Sequence, residues 1–162
     1  MVPDLEKVIE VTLSSGNSES KTSVVWLTIL GLVFPANQGF FAGPEGDLDG
    51  GHGYIFSLQT VLSPKFLRKY FFVVVCKKPG DEPQPGTWSQ AVDQLRDHLG
   101  GTLAKDESKG RIFGAVAVGK AVRFYEYDEG NLSDMNGDGE AYYIDRQCQT
   151  VTRKLEYIRE HC

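Results

Sequence analysis

A chain of 162 residues has the length of one domain and is too short for two well-cored ones. Its hydrophobic content of 41% is that of a globular protein and argues against disorder. The formal charge of −5 excludes bulk positive charge as a means of holding nucleic acid, although Lys65, Arg68, Lys69, Lys77 and Lys78 make one stretch basic and 128–140 is acidic.

Pro3 and Asp4, followed by Leu5, Val8 and Ile9, carry the start signals of a first helix. Residues 14–23 are polar and read as a loop. Val24 to Leu30 is nearly continuous apolar sequence, which predicts a strand covered on both faces; a buried helix is the alternative that periodicity leaves open. Pro35 to Gly51 is dense in Gly, Pro, Asn and Asp and reads as turns. Gly53 to Leu58 reads as a strand, and Ser63-Pro64 opens a short helical stretch to Arg68. Tyr70 to Cys76 is apolar without alternation, the pattern of a central strand, and it stops at Lys77-Lys78-Pro79-Gly80.

After a Pro-rich loop from Asp81 to Gly86, Thr87 and Gln90 have the spacing of a capping box. Trp88, Ala91, Val92, Leu95 and Leu99 then form one helix face, which Gly100-Gly101 should end. Arg111–Val118 and Ala121–Tyr127 read as a hairpin turning at Gly119-Lys120. Tyr142 to Ile144 is a short strand beyond an acidic loop, and Val151, Leu155 and Ile158 mark a closing helix. The expected fold is a single α/β domain over 1–162, with a mixed central sheet of about five strands flanked by helices.

Cys76, Cys148 and Cys162 are an odd, sparse set with no CxxC spacing, which points to a reducing compartment and offers no zinc site. His52, His98 and His161 are scattered and read as structural or surface residues. The N-terminal residues lack a secretory pattern. The longest apolar run, Val24 to Phe34, falls well short of the roughly 20 residues of a membrane helix. A cytoplasmic or nuclear protein without a membrane partner is expected.

Three constellations have chemistry to offer. The first is Val75-Cys76-Lys77-Lys78-Pro79, which delivers two lysines from an apolar strand into a Pro/Gly loop; the next helix carries Gln90 and Gln94 one turn apart. Over roughly 40–127 this order of elements resembles the PD-(D/E)XK, or restriction-endonuclease-like, superfamily. The resemblance implies an acid near one strand and an acid-x-lysine on the next, together holding a divalent metal and activating water. Some members add a glutamine on the following helix. The catalytic residues it implies here are Asp49 and Lys77, with Asp47 near Asp49. The acid due two positions before the lysine is missing, because Val75 precedes Lys77 and Cys76 precedes Lys78. A magnesium site without that carboxylate loses its main anchor. The expectation is therefore a non-catalytic nuclease-like domain that binds a protein or nucleic acid partner, with an active metal-dependent nuclease as the alternative. The plainer reading of these residues is lysines closing a strand, a capping Gln90 and a solvated Gln94.

The second constellation is Asp134, Asn136 and Asp138 with Asp145 at position twelve, the oxygen spacing of an EF-hand-type calcium loop. Ala141 stands where such loops carry a bulky apolar residue, position twelve is Asp instead of Glu, and the flanks read as strand. An acidic turn accounts for the same residues. The third is the set Phe124, Tyr125, Tyr127, Tyr142 and Tyr143, which suits base stacking or sheet packing; Phe124 is assigned to the core and the tyrosines are left open. Magnesium or calcium are the only cofactors these motifs suggest.

Overall fold

The computed structural model describes residues 3–12, 19–47, 54–62, 67–105 and 111–162. Two helices come first, α1 (Pro3–Thr12) and α2 (Glu19–Val33). A short 3-10 turn at Ala36–Gln38 leads into β1 (Phe40–Asp47), β2 (Tyr54–Leu62) and β3 (Leu67–Lys77), which form an antiparallel meander. Helix α3 (Pro85–Lys105) then carries the chain to β4 (Ile112–Val118), which pairs parallel with β3. β5 (Ala121–Asp128) and β6 (Asn131–Asp134) follow antiparallel. β7 (Tyr142–Tyr143) pairs with the first two residues of β5, and α4 (Cys148–His161) closes the chain.

The sheet runs β1-β2-β3-β4-β5-β6 with β7 beside β5, seven strands where about five were expected. The mixed α/β class is as expected. β1 and β6 are the strands missed, because β1 contains Gly43, Pro44 and Gly46 and reads as turns. An edge strand tolerates proline, and a bulge between Pro44 and Gly46 absorbs the irregularity.

Residues 24–30 are not a strand; they lie inside α2. Val25, Trp26, Ile29 and Leu30 are buried while Val24, Thr28, Gly31 and Leu32 are exposed, so the burial has a helical period. The period is hidden in the sequence because Val24 and Leu32 are apolar yet outward. Leu67 and Arg68, expected at the end of a helical stretch, belong to β3, and the rest of that stretch lies outside the described residues. α3 starts at Pro85, where a helix's first position needs no N–H, and runs through Gly100-Gly101 to Lys105. Leu99 is fully buried, so packing carries the helix past the expected stop.

Strand alternation divides the core between the two faces of the sheet. Phe72, Val74 and Cys76 of β3, Phe113, Ala115 and Ala117 of β4 and Phe124 of β5 face α1, α2 and α4, where Trp26, Leu30, Leu155 and Ile158 meet them. Val73 and Val75, Val116 and Val118, and Ala121 and Tyr125 face α3, packed with Trp88, Ala91, Leu95 and Leu99. One bulge breaks the alternation: Leu58 pairs Phe72 and Gln59 pairs Tyr70, leaving Phe71 as the extra residue. Phe71 therefore joins Phe72 on the α2 face, with ring centroids 5.4 Å and 6.1 Å from Phe34. α3 approaches β4 closely at Gly114, where a Cβ would meet both Leu95 methyls at 2.9 Å.

No helix among the described residues is long and apolar enough to cross a membrane.

Candidate functional site

The alternation that buries Val73 and Val75 beneath α3 sends Lys77 to the same face at the end of β3. Lys77 is only 2% exposed. Its ammonium donates to Oε1 of Gln90 on α3 at 3.5 Å. Its carbonyl accepts from the Thr22 hydroxyl of α2 at 2.7 Å and from the Gly119 amide of the β4–β5 turn at 3.4 Å. Trp26 of α2 donates from Nε1 to the Gly119 carbonyl at 3.3 Å. Both helical layers and the hairpin turn thus converge on the residue where the central strand stops. Gly119 has φ of +55°, and a side chain there would collide with the Glu82 carboxylate.

Gln90 is therefore a partner of Lys77 and not a cap, since α3 begins five residues earlier. Oε1 of Gln94, one turn on, is buried without a hydrogen-bond partner among the described residues. A buried amide oxygen of this kind is uncommon and marks the same strip of α3 as a polar one. The neighbouring Lys78 is exposed and lies 3.9 Å from Asp81.

The positions where a metal-binding acid would stand are occupied by apolar packing. Val75 is fully buried in the α3 cluster, and Cys76 is fully buried in the α2 cluster. Burial pushes the Cys76 thiol well above its ordinary range, so it stays protonated and is no nucleophile. Asp47 ends β1 and is in register with Tyr54, which is in turn in register with Cys76. Two strand spacings, about 10 Å, separate its backbone from β3 at that level. Asp49, the other catalytic candidate, lies outside the described residues.

The acidic loop is held by its own side chains. Asn136 is buried: its Oδ1 accepts from the Phe124 amide at 3.0 Å, and its Nδ2 donates to the Glu140 carbonyl at 2.6 Å and the Val122 carbonyl at 3.4 Å. Asp134 Oδ1 accepts from the Asn136 amide at 2.6 Å, and Asp138 Oδ1 from the Glu140 amide at 3.0 Å. Tyr142 donates to the Asn136 carbonyl at 3.1 Å. Asp145 faces Lys120 at 3.3 Å and Arg146 at 3.8 Å. One oxygen each of Asp134 and Asp138 thus closes a backbone turn, that of Asn136 accepts from β5, and Asp145 is ion-paired. Among the described residues no three His, Cys, Asp or Glu side chains gather as a metal site would require.

Of the aromatic set, Phe124 is wholly buried on the α2 side, as expected. Tyr125 and Tyr127 are buried beneath α3, and Tyr142 and Tyr143 are half-buried. Burial raises the pKa of Tyr125, partly opposed by the Arg123 charge beside it. Burial also raises that of Tyr142, reinforced by Asp138 and Asp134.

Thr22, Trp26 and Glu82 were not anticipated at this end of the sheet. Thr22 sits in a polar stretch read as loop, and its role depends on a contact across 55 residues of chain. No family model, curated protein or solved structure matches the chain.

Proposed function

We propose that this chain is a nuclease-like domain of the PD-(D/E)XK type that has no catalytic metal site and acts as a binding or interaction module. The observation that carries the reading is the end of β3, where Lys77 meets Gln90 of the following helix while Val75 lies fully buried two residues before it. The order of elements supports it as well: helix, three-strand antiparallel meander, helix, then a strand parallel to the third. A lysine at that position supports a hydrolytic site only when carboxylates fix a divalent ion beside it. Here the side chain two before it packs with Trp88, Ala91 and Leu95.

A buried lysine still has work to do in a binding protein. Gln90 orients its side chain at the end of the central strand, where α2 and the β4–β5 turn also meet. The test is incubation of the purified protein with plasmid DNA and with RNA in magnesium. No cleavage is expected. Cleavage that follows the protein through purification and disappears in Lys77→Ala would overturn the reading.

A further inference from the structure

The α3 face of β5 carries a charge in an otherwise apolar row. Ala121, Tyr125 and Tyr127 are buried there, and Arg123 stands among them on the same side of the strand. Its guanidinium lies 4.6 Å from the centroid of the Trp88 ring. Among the described residues no carboxylate forms an ion pair with it. Its Nε is shut from solvent without an acceptor, so its other N–H groups are the ones a ligand can meet.

A cleft of about 510 Å³ opens beside this arginine, with Pro83, Pro85, Trp88 and Val92 as its apolar surfaces and Ser89 as a hydroxyl. Two acids also border it. Glu82 accepts from the Gly80 amide at 2.7 Å, and Asp93 pairs with Arg96 at 2.9 Å. A partly desolvated guanidinium without a counter-ion is costly to maintain in a folded chain. A guanidinium seated over an indole has already given up part of its freedom, and its donor fork matches a carboxylate or phosphate.

We propose that this cleft binds an oxyanion, a carboxylate or a phosphate, carried on a compact apolar or ring-bearing ligand, with Arg123 as the anchor. The oxyanion pairs with the guanidinium, which no carboxylate among the described residues does, and the apolar body lies against Pro83, Pro85 and Val92. The site is separate from Lys77. Neither Lys77 nor Gln90 lines the cleft. It stands or falls independently of the nuclease-like reading.

The two tryptophans make the test direct, because Trp88 borders the cleft and Trp26 is buried on the other side of the sheet. The indole N–H signals of the ¹⁵N-labelled protein are assigned with Trp88→Phe. Inorganic phosphate and sodium benzoate are then titrated separately at constant ionic strength against sodium chloride. A saturating shift of the Trp88 signal, with Trp26 unmoved, is expected from at least one probe. Response to phosphate alone assigns a phosphoryl ligand, response to benzoate alone assigns a carboxylate, and response to both assigns an oxyanion site without preference. Affinity should fall at least tenfold in Arg123→Gln and be weakened but measurable in Arg123→Lys, which decides the matter if the glutamine variant does not fold. Absence of a saturable shift with either probe, an equal shift with chloride, or full affinity in either folded variant overturns the proposal.

Discussion

Replacing Trp88 with alanine removes the side chain that joins α3 to the sheet. The indole is 6% exposed and packs in the cluster of Val73, Val75, Leu95 and Tyr125. It also donates from Nε1 to the Glu82 carbonyl at 2.8 Å, which ties the 79–84 loop to the first turn of the helix. Truncating a buried aromatic of this size costs about 3–5 kcal/mol. Loss of the hydrogen bond, worth about 1 kcal/mol, is contained in that figure, as is the Arg123 stack. Trp88→Phe keeps a ring in the site and removes the donor, and should cost about 1–2 kcal/mol. The assay is urea unfolding followed by circular dichroism, with the slope compared between variants so that a midpoint shift is a stability change. A loss below about 1 kcal/mol in Trp88→Ala, the size of an ordinary surface effect, would refute the reasoning that Trp88 anchors this layer.

Asn136→Ala should cost about 1–3 kcal/mol in the same assay, because it strips the acceptor from the buried Phe124 amide. Calcium at about 5 mM should leave the thermal midpoint unchanged against chelator, since that concentration loads even weak sites. A rise of several degrees, lost in Asp138→Ala, would show an ion held by the 134–145 loop. Stability should fall as the solution becomes alkaline. Cys76, Tyr125 and Tyr142 hold their protons in the folded chain above the ordinary values of 9.0 for the thiol and 10.0 for the phenols. The unfolded chain then binds fewer protons than the folded one, so the stabilisation present below pH 9.0 is lost as pH rises through the folded-state values. Urea midpoints that stay flat from neutral pH to beyond the phenol value would contradict those assignments.

The legible parts of the fold were those whose pattern had one physical meaning. Tyr70 to Cys76 reads as a central strand because it is apolar on both faces, and β3 is covered by helices on both. Gly119-Lys120 between two apolar runs reads as a hairpin, and Val151, Leu155 and Ile158 fall on the buried face of α4. α2 was misread because its exposed face carries Val24 and Leu32, which erase the polar stripe that distinguishes a helix. β1 was missed because its glycines and proline are turn residues in isolation and strand residues only when a partner supplies the ladder.

The site was half legible. Lys77 at a strand end and glutamines on the next helix were visible, but the local spacing assigned Gln90 to capping, and only tertiary contact makes it a lysine partner. Arg123 gave no signal of its own. A lone arginine in a strand of alternating small and aromatic residues reads as an outward charge, and its stack on Trp88 joins residues 35 positions apart.

The proposed nuclease-like reading requires that the end of β3 hold no divalent metal. A crystal of the protein soaked in manganese tests it most directly, because the anomalous signal locates the ion without reference to activity. The account predicts no manganese at the end of β3, with Lys77 still hydrogen-bonded to Gln90. A manganese ion held beside Lys77 by carboxylates, Asp47 or Asp49 among them, would contradict it.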